Sequence, residues 1–216
     1  MNQPQTSPPG ASPGPEERIV QAAIRLYRTI GYRKTTVADI ARSASMSPAN
    51  LYRFFPSRRA VEESVVAGLL DEVCTSAARA ARSGVSSLER LEAAFRTISQ
   101  RHEHRLLNDV SLHELVVAAG QANWPVAVAH AARVRDLVRS IIAAGQASGD
   151  FRAGSAMALA SCALDAMDAY LDPSRIKAVA GRPAFNEMIN FCSGALRSAA
   201  PAKVAADDPR TMPCRV

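Results

Sequence analysis

The stretch GYRKTTVADIARSASMSPANLYRFFPSRRAV, residues 31–61, decides the fold. Gly31 stops the helix before it, as glycine often does just past a helix C-terminus. Thr36 starts a short helix: its hydroxyl can cap the first turn while Asp39, three residues on, complements it, a variant of the capping box. That helix ends near Ser43. A further helix begins at Ser47, with Pro48 at the first helical position, where a missing N–H costs nothing. Pro56 ends it near Phe55. Two short helices joined across Ala44-Ser45-Met46, in a basic stretch after a longer helix, match the helix-turn-helix plan, whose second helix enters the DNA major groove.

Working outward, the apolar spacing of Val37, Ile40, Ala41, Met46, Leu51 and Phe55 is that of a shared core. Upstream, a helix is expected from about Glu16 to Ile30, with Ile19, Ala22, Ala23, Leu26, Tyr27 and Ile30 on one face. Downstream, Ser57 caps a long helix through about Arg82 whose buried row is Val61, Val65, Leu69 and Val73. Its length suits it to joining two domains.

The pattern T-V-x-D-I-A-x-x-A-x-x-S-x-x-x-L-Y-x-x-F, carried by residues 36–55, resembles the N-terminal domain of TetR-family repressors. The resemblance covers about residues 17–62. It implies an all-α homodimer with a three-helix helix-turn-helix DNA-binding head, residues 16–60, joined to a C-terminal helical ligand-binding and dimerisation body, residues 61–198. Such a regulator would hold a palindromic operator in double-stranded DNA until a small, largely apolar effector released it. Two positions depart from the family: Ser45 stands where glycine is usual, and Phe54 where His or Tyr precedes the Phe. Arg58 replaces the frequent Lys and keeps its charge.

Roles within the motif separate physically. Lys34, Thr35, Thr36, Tyr52 and Arg58 sit at helix starts or carry side chains able to reach a phosphate, matching the family's backbone contacts. Base reading falls to the exposed side of the third helix, through Ser47, Ala49, Asn50 and Arg53. A guanidinium can hold guanine O6 and N7, and an asparagine amide adenine N6 and N7, so Arg53 and Asn50 are the specific candidates.

The charge agrees. Of 26 Lys/Arg and 20 Asp/Glu, the first 60 residues hold nine and three, which places the whole net +6 at the N-terminal end. One-ended basicity suits a polyanion, either nucleic acid or an anionic membrane surface. The alternative is therefore a helical protein- or membrane-surface-binding module without sequence-specific DNA binding. Against it, the positive charges accompany a turn-and-cap pattern that a lipid binder does not need.

The remainder reads as helices at about 86–106, 109–120, 124–147, 155–171 and 183–198, punctuated by glycine and proline. The last two are dense in Ala, Leu, Met and Phe, which points to a subunit interface. Residues 1–15 and 199–216 are proline-rich and polar, the composition of a disordered arm and tail. Cys74, Cys162, Cys192 and Cys214 are too widely spaced for a C-x-x-C motif, no secretory apolar stretch opens the chain, and no apolar run reaches the roughly 18 residues of a membrane span. A cytoplasmic protein with reduced thiols is expected.

The family-like body should enclose a mostly apolar pocket. Candidate wall residues are Phe95, Ile98, His102, Leu106, His113, Trp124, Met157, Leu164 and Met167, each of which ordinary core packing also explains. His102 and His104 point to nearly opposite helix faces, and His102 and His113 would stand about 16 Å apart on one continuous helix, so no metal site is expected. The chain lacks the phosphate loop, dinucleotide turn, nucleophile elbow and zinc-protease helix motifs, so neither an enzyme nor a cofactor is indicated.

Overall fold

A computed structural model describes residues 13–177 and 181–197. The described residues form helices α1 (Pro15–Ile30), α2 (Val37–Ser43), α3 (Pro48–Tyr52), α4 (Arg58–Ala81), α5 (Ser87–Asn108), α6 (Val110–Gln121), α7 (Pro125–Ser148), α8 (Ala156–Leu171) and α9 (Phe185–Leu196). Backbone pairing of the β kind is limited, among them, to one bridge between Phe151 and Arg197. The expected arm and tail, with Cys214, lie outside the described residues except at their inner edge, where Pro15 already occupies the first turn of α1.

The caps form as the sequence requires. Asp39 N–H donates to Thr36 Oγ1 at 3.2 Å while Thr36 N–H donates to the Asp39 carboxylate at 3.0 Å. Ser47 Oγ accepts from Asn50 N at 3.2 Å and Ser57 Oγ from Ala60 N at 3.0 Å, giving α3 and α4 fixed starts. The third helix ends earlier than its sequence suggests. Arg53 and Phe54 donate to carbonyls three residues back, so the chain tightens before Pro56 and α3 stops at Tyr52.

Three buried clusters organise the packing, the smallest being Val73, Cys74, Ala77, Ile98 and Val134 between α4, α5 and α7. Of the larger two, one joins Ile19, Tyr27, Ile40, Leu51, Phe55 and Val61 to Leu112, Leu115 and Trp124, so the core of the three-helix head continues into α6 and the start of α7. The other gathers Leu91, Phe95, Ile142, Met167, Ile189 and Leu196 from α5, α7, α8 and α9. Each such side chain contributes about 1.5–3 kcal/mol by leaving water. The buried row of α4 drifts: Val61, Val65 and Val73 are buried, but Val66 and Leu70 displace the half-buried Leu69, because 3.6 residues per turn outruns a strict spacing of four. The α1 face holds as far as Tyr27, whereas Ile30 is exposed.

Candidate nucleic-acid interface and cavity

The helix-turn-helix is built around a turn that needs a left-handed residue. Ser45 supplies it at φ 58°, a conformation that costs a residue with a Cβ about 1–2 kcal/mol and that glycine takes freely. The strain is held by Met46 N–H, which donates to Ala41 O at 3.0 Å, and by burial of Ala41, Ala44 and Leu51 around the turn. The same contacts fix which side of α3 faces outward.

That outward side carries Ser47, Ala49, Tyr52 and Arg53, all exposed, with Asn50 half-buried beside them. Lys34 and Thr36 are also exposed, on the approach to α2. Thr36 Oγ1 and N–H are both held by Asp39 and its carbonyl accepts from Ile40 N, leaving its methyl for an outside contact. Thr35 differs from the expectation. Its side chain is fully buried and its hydroxyl donates to Gly31 O at 2.9 Å, so it fastens the α1–α2 turn and cannot reach a phosphate.

Arg58 is committed largely within the chain. One guanidinium nitrogen donates to Tyr32 O at 2.7 Å and another to the Glu62 carboxylate at 2.8 Å, tying the start of α4 to the turn after α1. Sequence reading passed over Arg33 and Arg42, which are exposed on the same end of the molecule. Arg33 donates to Tyr32 Oη at 3.0 Å, and Arg42 pairs with Asp39. Their presence in the basic run was the only signal that could have marked them.

A second feature lies deeper. A cavity of about 630 Å³ opens between α5, α6, α7 and α8, with Leu70 of α4 at its floor. Of the residues expected to wall a pocket, Ile98, His102 and Leu164 border it. Phe95 and Met167 are fully buried in the body core, Leu106 is half-buried away from the cavity, and Met157 is exposed on α8. His113 is buried beside Pro173, and Trp124 belongs to the head's core, for reasons of topology that no spacing reveals. The break at Asp109 turns α6 back on α5, yet among the described residues no three metal-ligating side chains meet.

His130, Val116, Val134, Asp165 and Leu171 also line the cavity and were missed. His130 and Val134, four apart on the helix begun by Pro125, were legible as one face but indistinguishable from core. The cavity's histidines are neutral. Burial, aided by the charge of Arg105, holds His102 down to about 3, and burial with the charge of Arg133 holds His130 down to about 4.

The exposed residues of the helix-turn-helix and most of the cavity lining fall within two family models. Residues 19–65 match the model described as bacterial regulatory proteins, tetR family, and residues 87–187 match the tetracyclin repressor-like C-terminal domain. The chain belongs to the TetR family.

The HTH-type transcriptional repressor KstR2 of Rhodococcus jostii is 29% identical over 97 residues, 45% of this chain and 48% of that protein, so the chain spans about half the length of the curated relatives it matches. Among solved structures, Thermus thermophilus FadR, a TetR-family repressor in complex with lauroyl-CoA, is 22% identical with a TM-score of 0.59, covering 87% of this chain and 98% of that one. A Rhodococcus sp. RHA1 protein of unknown function superimposes at a TM-score of 0.66 with 18% identity, over 89% of this chain and all of that one. These likenesses establish the TetR fold. Among the described residues no helix is long and apolar enough to cross a membrane.

Proposed function

We propose that this TetR-family regulator binds a palindromic operator as a homodimer, reads it through α3, and is released when a small, largely apolar molecule fills the cavity. Arg53, Asn50, Ala49 and Ser47 face the bases, while Lys34 and Tyr52 meet phosphates and Thr36, its donors held by Asp39, packs beside them through its methyl. The observation that carries the reading is the double attachment of α6. At its start, Arg28 grips Asp109 through two hydrogen bonds of 2.8 and 3.1 Å, and Tyr32 N–H donates to Ser111 Oγ at 2.8 Å, so the head is fastened to this helix. Further along, Val116, Val117, Gly120 and Gln121 of the same helix form a wall of the cavity.

A ligand that shifts that wall therefore acts on the head directly. Such coupling requires the ligand to favour one head orientation, typically by about 1–3 kcal/mol. The two heads of a dimer must stand about one turn of DNA apart, so a small tilt of each removes the fit. Protection mapping on the DNA upstream of the gene, repeated with apolar small molecules, tests the reading. A protected palindrome that a cavity-filling molecule erases supports it; no protected site at any protein concentration counts against it.

A further inference from the structure

The cavity contains a polar group whose chemistry is fixed by its neighbours. Arg105 is buried on α5, and its guanidinium donates to Leu69 O at 3.1 Å and contacts His102 Nδ1 at 3.3 Å. A guanidinium has only donors, so His102 Nδ1 must be the acceptor and the proton of the neutral ring sits on Nε2. His102 is 1% exposed and borders the cavity, and no protein group among the described residues accepts from Nε2. His130 is placed otherwise. Its Nδ1 lies 3.4 Å from Cys74 Sγ, and its ring hydrogen-bonds the Leu70 backbone.

The rest of the lining sets the remaining chemistry. Leu70, Ile98, Val116, Val134, Leu164 and Leu171 make the wall apolar. Its charged groups are Asp165, Asp168 and Asp172 against Arg135, with Arg175 paired to Asp168. Arg105 and Arg133 stand behind the histidines, Arg133 being paired with Asp71. The lining's carboxylates outnumber its guanidiniums, so it disfavours a phosphate-bearing ligand.

We propose that the effector is a non-anionic, largely apolar molecule carrying a carbonyl or hydroxyl oxygen that accepts a hydrogen bond from His102 Nε2–H, and that Arg105 is the residue positioning that donor. This rests on the cavity being the effector site. It sets the chain apart from FadR, whose structure holds lauroyl-CoA, because a CoA thioester brings several phosphate charges to a lining that does not balance them.

The full-length protein is titrated with Prodan, a neutral naphthyl ketone whose emission responds to hydrogen bonding at its carbonyl, and bound probe is competed with 2-dodecanone or lauroyl-CoA. The expected result is saturable binding, displacement by the ketone and none by lauroyl-CoA at equal concentration. His102→Phe keeps the apolar volume and removes the donor, so affinity should fall about tenfold, with emission shifted to that of a non-hydrogen-bonded carbonyl. His102→Gln, which restores a donor, should recover both. Nitrogen-detected NMR of the imidazole gives the tautomer independently, with protonation at Nε2 expected and protonation at Nδ1 overturning the proposal. Unchanged affinity and emission in folded His102→Phe overturn the donor role while leaving the cavity reading intact, and displacement by lauroyl-CoA overturns the charge assignment. Failure of Prodan and 2-dodecanone alike to bind the wild type removes both this proposal and the cavity reading.

Discussion

The guanidinium carbon of Arg59 sits over the indole of Trp124, 3.3 Å from the ring centroid. Arg59 belongs to the second residue of α4, beside the DNA-binding head, and Trp124 caps the start of α7 in the body. The contact is a further fastening between the two parts, alongside Arg28–Asp109 and Tyr32–Ser111, and it accompanies a head core that does not stop at residue 60. Trp124 has thereby a packing duty where a pocket wall was expected.

Trp124→Ala should therefore unfold the head's base rather than empty a ligand site. Truncating a buried tryptophan costs about 3–5 kcal/mol, which urea denaturation followed by circular dichroism will read. Arg59→Ala removes the stacked cation together with its exposed ion pair to Glu63 and should cost about 0.5–2 kcal/mol. A Trp124→Ala protein of unchanged stability that fails only to respond to an effector would return Trp124 to the cavity.

Ser45→Gly is expected to stabilise the protein. The substitution relieves a Cβ held at φ 58°, and offsetting this by the greater freedom of unfolded glycine leaves a gain of about 1 kcal/mol. For a chain of this size that is about 2–4 °C in Tm. A fall in Tm would mean that the serine hydroxyl makes a stabilising contact.

Stability should decline in mild acid through the cavity histidines. Their folded pKa values, about 3 for His102 and about 4 for His130, lie below the unfolded value near 6.5. The unfolded chain therefore binds more protons below pH 6.5, so the contribution is fully present above that pH and is lost as pH falls toward 4. Each histidine supplies a slope of about 1.4 kcal/mol per pH unit. Denaturation midpoints between pH 7 and 5 should show it, and His102→Phe should remove its share. Equal slopes in the variant and the wild type would show that His102 is not a buried neutral group.

Phe191, 69% exposed on α9, is the surface test of dimerisation. Phe191→Glu should shift sedimentation toward monomer and weaken DNA binding in parallel, because a lone head contacts only half a palindrome. Leu164 serves less well, since it is half-buried and lines the cavity. Unaltered sedimentation of Phe191→Glu would place the interface elsewhere.

The head was legible because its signals are local. Thr36 with Asp39, Ser47 with Pro48, and Ser57 each mark a helix start that forms as expected, since a cap is satisfied within three residues. Thr35 was misread for the opposite reason: its partner Gly31 O is close in sequence, but its burial comes from the packing of α1 on α2. The cavity was harder still. Leu70, Val116, His130 and Asp165 come from four helices, and an apolar residue on a helix face has the same spacing whether it meets a neighbour or an empty space. Arg105 gave no warning at all, because arginine on an amphipathic helix ordinarily faces water.

The central claim is that α3 reads DNA sequence, and competition titration of the wild type and Arg53→Ala against operator and scrambled duplexes at two salt concentrations tests it most directly. The wild type should prefer the operator by about 10³ or more. Arg53→Ala should lose about 1–3 kcal/mol on the operator and much less on the scrambled duplex, whereas Tyr52→Phe should weaken both alike. Equal binding of the wild type to the two duplexes, or a parallel loss on both in Arg53→Ala, would contradict the assignment of Arg53 as the residue that reads a base.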